Sequence, residues 1–341
     1  MKTAVVLFNL GGPDSPDAVE PFLFNLFSDP AIIQVPQPFR WLLAKLISRR
    51  RAPIAREIYD NLGGKSPLLE LTVEQAQALE KQCPDLGTVK TFICMRYWHP
   101  MSDATAKDVK KFDPDKIILL PLYPQYSTTT SGSSIKDWHR AATAAGISAP
   151  TVEICCYPQT DGWIDAQVSL IRNAYAEAST GREPRVLFSA HGLPKKVVAA
   201  GDPYQWQVER TADAGVERLA IDGLDWVVCY QSQVGPLEWI GPSTDDEIKR
   251  AGADGVPVIV VPIAFVSEHS ETLVELDIEY RELAEEHGVP GYTRIASVGT
   301  HPSFVAAMAG LVRKAVHADG PRISGDGGRI CPEHCGKCAW A

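Results

Sequence analysis

The stretch Val186-Leu187-Phe188-Ser189-Ala190-His191-Gly192-Leu193-Pro194 decides how the chain is read. Its first half is a short apolar run that does not alternate cleanly with polar residues. Strands covered on both faces look like this, and they belong to parallel sheets. The run ends at a histidine, and Gly192 and Pro194 then turn the chain away. In open α/β sheets that edge is where ligands bind. The same pattern recurs outward in both directions. Ala4–Leu10, Thr91–Met95, Ile117–Pro121 and Thr151–Tyr157 precede it; Trp226–Tyr230, Val258–Ile263 and Arg294–Val298 follow. Between the runs, Glu70–Gln82, Met101–Phe112, Ser133–Ala145, Asp161–Ala178, Pro203–Leu219, Glu268–His287 and Ser303–Val316 carry apolar residues at helical spacing. Alternating strand and helix predicts an α/β fold with right-handed crossovers. Four strand candidates fall on each side of about residue 158. The expected architecture is two similar doubly wound, Rossmann-like domains, each a four-stranded parallel sheet flanked by helices. The boundaries fall at 1–158 and 159–300, with 301–341 as a final helix and tail.

Length agrees with that division, since 341 residues at about 150 per domain suggest two domains. Apolar residues are 45% and charged residues 22%, which excludes disordered and low-complexity classes. The net charge is 33 − 42 = −9, which argues against a nucleic-acid partner. The apolar run after Met1-Lys2-Thr3 is too short for a membrane span or a signal peptide. A cytoplasmic protein is expected, and its eight cysteines are not read as a disulfide framework.

Residues beyond the strand ends are the candidates for chemistry. His191 ends a strand; a capping role is the bland reading, and proton acceptance or metal binding the functional one. Glu268-His269-Ser270-Glu271 follows the run that begins at Val258, and Glu271, Glu275 and Glu279 recur every fourth residue. On an α-helix that row drifts slowly, and a π-bulge would straighten it. No lysine or arginine is interleaved before Arg281, so a divalent cation would relieve the repulsion. Carboxylate and imidazole ligands suit Fe²⁺. The segment Phe39–Arg51 is apolar with a basic end, which fits an amphipathic core helix or an exposed lip. Such a lip, with Trp41, Leu42, Leu43 and Ile47, would touch a membrane surface or a flat apolar ligand. Finally, Cys331, Cys335 and Cys338 stand at C-x3-C-x2-C spacing. They could hold iron–sulfur or zinc if a fourth ligand exists. Cys155 or Cys156 could supply it for iron–sulfur, and His334 for zinc. On a strand the two adjacent cysteines would point to opposite faces, so only one could serve.

Several stretches together resemble the ferrochelatase family. They are Phe8–Pro13, Arg96–Pro100, Pro121–Ser127, Phe188–Pro194, Gln231–Pro236 and Pro262–Leu273. The resemblance implies a chelatase-like fold that binds a porphyrin between its domains. It implies insertion of Fe²⁺, as substrate, into protoporphyrin IX in the last step of haem biosynthesis. It assigns His191 and Glu271 as the inner, metal-facing pair, with His269, Glu275 and Glu279 as the neighbouring path. Leu10, Arg51, Tyr59, Ser66, Arg96, Tyr97 and Ser232 are the implied porphyrin contacts, Arg51 suiting a propionate. Family members that act on coproporphyrin usually carry Tyr where Leu10 stands, so Leu10 favours protoporphyrin. The tail resembles the [2Fe–2S] ligands of some members, although Thr128 stands where animal members carry the remote cysteine. Peripheral attachment to the inner face of a membrane, through Trp41, Leu42, Leu43 and Ile47, would aid transfer of an insoluble product. The alternatives are a chelatase for another tetrapyrrole or metal, and a non-catalytic haem- or porphyrin-binding protein.

Overall fold

The structure, a computed structural model, describes residues 1–178 and 181–341. The chain divides into two compact units. Unit 1 is Met1–Cys156 with Met308–Gly328, and unit 2 is Tyr157–Ala307 with Arg329–Ala341. Residues 301–341, expected as a separate segment, are thus shared between the two.

Unit 1 holds a parallel sheet of β1 (Lys2–Asn9), β2 (Thr88–Met95), β3 (Lys116–Pro121), β4 (Thr151–Ile154) and β9 (Arg322–Ile323), in the order β2-β1-β3-β4-β9. Successive β1 side chains point to opposite faces, and both faces are covered. Ala4, Val6 and Phe8 pack with Val109 of α4 (Ser102–Phe112) and with Ile135 and Trp138 of α5 (Ser131–Ala144). Phe8 and Trp138 meet edge to face at 6.1 Å. The larger of these, Val6, Phe8, Val109 and Ile135, contribute about 1.5–3 kcal/mol each relative to exposure. Helices α1 (Val19–Ser28), α2 (Phe39–Asp60) and α3 (Leu68–Lys81) lie between β1 and β2 in the chain.

Unit 2 repeats the order. Strands β5 (Arg185–His191), β6 (Trp226–Gln231), β7 (Val258–Pro262) and β8 (Tyr292–Arg294) form a parallel sheet β6-β5-β7-β8. Its helices are α6 (Asp161–Ala178), α7 (Lys195–Ala199), α8 (Tyr204–Leu219), α9 (Thr244–Asp254) and α10 (Tyr280–Glu286), with a π-helix at Glu271–Glu279. Leu187, Val258 and Val260 pack with Ile248 of α9 and with Leu276 of the π-helix. The last helix, α11 (Pro302–Val316), begins in unit 2 and ends in unit 1. Its Phe304 packs on Trp163, and its Arg313 pairs with Asp85 at 2.7 Å.

Three departures from the sequence reading have local causes. The first sheet carries a fifth strand, β9, whose two residues are too short to show periodicity; Arg322 pairs with the buried Glu153 of β4 at 2.9 Å. The run Arg294–Val298 is not the eighth strand, which is Tyr292–Arg294. The ladder ends because Ser297 gives its N–H to the Glu268 side chain at 2.8 Å instead of to a neighbouring strand. Strand β4 stops at Ile154, so Cys155 and Cys156 lie beyond the pleat. They do not point to opposite faces: both are buried and their sulfurs are 3.5 Å apart.

Candidate active site

In both sheets the first strand in sequence lies between the second and the third. The crevice beyond the strand ends, where the order reverses, is the ligand position of open α/β sheets. In unit 2 this point lies beyond β5 and β7. His191 is the last residue of β5, and the loop after β7 leads to His269 and Glu271.

The His191 Nδ1 is 2.6 Å from the Gly192 carbonyl. A carbonyl oxygen only accepts, so Nδ1 is the donor and Nε2 of the neutral ring keeps its lone pair. That Nε2 is 3.9 Å from Oε1 of Glu271. The Nε2 of His269 approaches the same oxygen at 4.0 Å. One carboxylate oxygen therefore faces two imidazole nitrogens. The His269 ring is buried and lies tilted against the Phe265 ring, their centres 4.5 Å apart. Burial pushes its pKa down, against the pull of Glu271, so it stays neutral more readily than a free imidazole.

The wide i→i+5 turn of the π-helix draws Glu271, Glu275 and Glu279 into a row. Opposite it, Ser232 takes a left-handed backbone with φ +61°. This conformation costs a non-glycine residue about 1–2 kcal/mol. Ser232 donates twice to Glu275, from its N–H at 2.8 Å and from its hydroxyl at 2.5 Å. The same hydroxyl is 3.3 Å from Glu271. Gln231 Nε2 and the Tyr280 hydroxyl also reach Glu275, at 3.4 and 3.3 Å. Burial, then the neighbouring Glu271 charge, push the Glu275 pKa up to about 7, and the Ser232 bonds oppose them. Burial also raises that of Glu279, helped by Glu282 and Asp245. Burial and neighbouring negative charge thus raise the proton affinity of both Glu275 and Glu279.

The remaining candidates lie in unit 1. The turn Gly11-Gly12-Pro13 follows β1, and a Cβ on Gly12 would stand 2.5 Å from Ser66. Ser66 and Tyr59 are buried, Leu10 is half-buried and packs near Tyr59 and Tyr97, and Arg51 is exposed on α2. Arg96 is engaged within the protein: its guanidinium pairs with the buried Asp29 at 2.8 Å and donates to Ser133 at 2.7 Å. Tyr97 is buried and its hydroxyl donates to Asp29 at 2.9 Å. On α2, Trp41, Leu42 and Leu43 are exposed and Ile47 is half-buried. Phe39, Leu46 and Ile54 join that exposed apolar face. Among the described residues no helix is long and apolar enough to cross a membrane.

The tail cysteines Cys331, Cys335 and Cys338 share one buried patch with Trp206, Ile330 and Trp340. Gln207 of α8 donates to Cys331 Sγ at 3.1 Å. A hydrogen bond with Cys338, then burial, push the Cys331 thiol well up. Among the described residues, no three His, Cys, Asp or Glu side chains form a group that could hold a metal ion. Cys155 and Cys156 belong to unit 1, and the tail to unit 2.

The fold is that of a metal chelatase. It matches SirB from Bacillus subtilis with Fe³⁺ at a TM-score of 0.54 and 14% identity, covering 93% of this chain and 96% of that one. The sirohydrochlorin chelatase SirB from Bacillus subtilis subspecies spizizenii, in complex with cobalt, matches at 0.54 and 13%, over 92% and 95% of the two chains. These likenesses concern the fold. The chain belongs to the ferrochelatase family, whose model matches residues 2–316. The ferrochelatase of Caulobacter vibrioides is 52% identical over 99% of this chain and 97% of its own. That of Wolbachia sp. subsp. Drosophila simulans is 53% identical over 91% and 98%. That of Hyphomonas neptunium is 48% identical over 100% and 95%. The protein is accordingly an enzyme, a lyase of the metal-chelatase kind.

Proposed function

We infer that the protein inserts Fe²⁺ into protoporphyrin IX, forming protohaem and releasing the inner protons of the macrocycle. The observation that carries this is the Glu271 carboxylate facing His191 and His269, at the head of the π-helix row. Metal insertion needs a base for the pyrrole protons and ligands that release the metal. His191 Nε2 would accept a pyrrole proton, its ring oriented by the Gly192 carbonyl. Glu271 would hold Fe²⁺ until the macrocycle takes it, with His269 at its side. Glu275 and Glu279 would pass cations inward or protons outward, a task suited to carboxyls whose affinities burial has raised. A bent macrocycle exposes its nitrogen lone pairs, and burial of its apolar surface can offset the strain at about 25 cal/mol per Å². Leu10, Arg51, Tyr59 and Ser66 are the proposed porphyrin contacts of unit 1, Arg51 toward a propionate and Leu10 toward the protoporphyrin periphery.

The test is anaerobic incubation with protoporphyrin IX and Fe²⁺, followed by porphyrin fluorescence and the Soret band. Multiple turnovers to a haem spectrum support the reading. Tight binding without turnover favours a carrier. Faster turnover with coproporphyrin, or with another metal, favours the sister chelatases.

Two further assignments belong to the same reading. The exposed Trp41, Leu42 and Leu43, with Ile47 beside them, would dock on a membrane surface. Equal flotation with anionic vesicles before and after Trp41→Ala and Leu42→Ala would remove that idea. Cys331, Cys335 and Cys338 would hold a [2Fe–2S] cluster with a fourth ligand from outside the tail. Soft thiolate donors, burial and the Gln207 N–H suit its sulfur chemistry. Such a centre supplies a redox-active or structural iron unit; none of the insertion steps above runs through it.

A further inference from the structure

Arg294 takes no part in the chemistry above, yet it touches both ends of the segment that carries it. It is the last residue of β8 and pairs in register with Val260 of β7. Its side chain is only 7% exposed. Nη1 donates to Glu268 Oε1 at 2.7 Å and Nη2 donates to the Asp277 carboxylate. Ser297 N–H donates to the same Glu268 oxygen at 2.8 Å. Glu268 directly precedes His269, and Asp277 lies between Glu275 and Glu279. One buried cation therefore ties the loop bearing His269, which leads into Glu271, to the far half of the π-helix. Neighbours strengthen the tie: Arg281 stands 3.5 Å from Asp277, and the Tyr292 hydroxyl donates to the Leu276 carbonyl.

The brace answers a physical problem. A π-helix is rarely more than a short bulge, and this one carries three glutamates in a row that repel when ionised. Packing of Leu276 and Tyr280 holds its apolar side, and Ser232 holds Glu275, but neither sets the register of the helix against the loop at Glu268. A planar guanidinium with two carboxylate partners does set it, because each N–H has a fixed direction. A lysine offers one point charge and cannot span both partners in the same way.

We propose that Arg294 is a positioning residue for metal delivery, holding the Glu271–Glu275–Glu279 row in register with His191 by clamping Glu268 to Asp277. This rests on the ferrochelatase reading above. The test compares wild type, Arg294→Met, Arg294→Lys and Glu268→Gln for steady-state KM toward Fe²⁺, kcat, protoporphyrin affinity by fluorescence, and thermal midpoint. A displaced row should raise the metal KM by about ten- to a hundredfold in Arg294→Met. Lys should recover part of the loss, and porphyrin affinity should stay within about twofold. Glu268→Gln keeps the Arg294–Asp277 arm, so it should fold and show a smaller rise in metal KM; it decides the matter if Arg294→Met does not fold. An unchanged metal KM in the folded variants overturns the proposal. So does a parallel loss of porphyrin affinity, which is what general loosening of unit 2 would give. Absence of turnover in wild type would instead overturn the ferrochelatase reading itself.

Discussion

The Oε1 atom of Glu271 stands 3.9 Å from Nε2 of His191. That is too long for a hydrogen bond. It is also wider than the roughly 3.0–3.4 Å between neighbouring donors bound at about 2.1 Å to one ion, so a shared ion would draw the two side chains together. Under the proposed reading, the pair would close on the metal or on a proton during insertion.

His191→Ala should lower turnover by about 10²–10⁴, the range of a lost general base. The ring is 40% exposed, and its Nδ1 bonds to its neighbour's carbonyl oxygen, a contact local to the strand end. Folding and porphyrin binding should therefore survive. Near-normal turnover in the folded variant would remove His191 from the mechanism.

Glu275 should make stability depend on pH in a defined direction. Its ordinary value is 4.5, and folding raises it to about 7. The folded state thus holds this proton more tightly than the unfolded state. The resulting stability is complete below pH 4.5 and is lost as pH rises through 7. Glu275→Gln cannot ionise, so relative to wild type it should gain on the order of 3 kcal/mol between pH 4.5 and pH 8. Thermal melts across that range check this, and a difference independent of pH would contradict it.

Ser232 separates two contributions. Ser232→Gly keeps the N–H to Glu275 and relieves the left-handed backbone. Ser232→Ala keeps the strain and also loses the hydroxyl. Ala should be less stable than Gly by about 1–2 kcal/mol. Equal melting midpoints would show that the backbone at this position relaxes freely.

Asp29 should prove structural for unit 1. Its carboxylate is buried and receives Arg96, Tyr97 and Ser133 together. Asp29→Ala removes the closer partner of Arg96, whose other nitrogen keeps Asp137 at 3.8 Å, and should cost about 2–3 kcal/mol. A loss below about 1 kcal/mol in a denaturant titration would free Arg96 and Tyr97 for a direct role toward porphyrin.

Cys338→Ser tests the tail. If the three thiols hold iron and sulfide, the variant should lose visible absorbance and bound iron. Unchanged metal content would return the tail to a packing role, its three sulfurs being already buried with Trp206 and Trp340.

Much of this was legible in the residues themselves. The run Ala4–Phe8 is fully buried in β1, as continuous hydrophobicity requires of a strand covered on both faces. The fourfold spacing of Glu271, Glu275 and Glu279 left an α-helix and a π-bulge both open, and a π-helix spans those positions. Both signals are local, because a strand's period and a helix's pitch reside in consecutive residues. The tie from Arg294 to Glu268 and Asp277 crosses 26 and 17 residues and leaves no periodic trace. Neither does the engagement of Arg96 with Asp29, so a basic residue that reads as a ligand contact is paired within the protein. The expectation for Cys155 and Cys156 failed because alternation holds only while a strand lasts, and β4 ends one residue earlier.

By itself, the sequence determined the α/β class, the placing of His191 at a strand's end and of His269 beyond one, and the acidic row, since each follows from spacing along the chain. Only the tertiary structure decided that His191 and His269 face one oxygen of Glu271, that Ser232 bends backward to hold Glu275, and that a single buried arginine secures the row. Those outcomes depend on distances between residues far apart in the chain, which packing and desolvation set and no local pattern records.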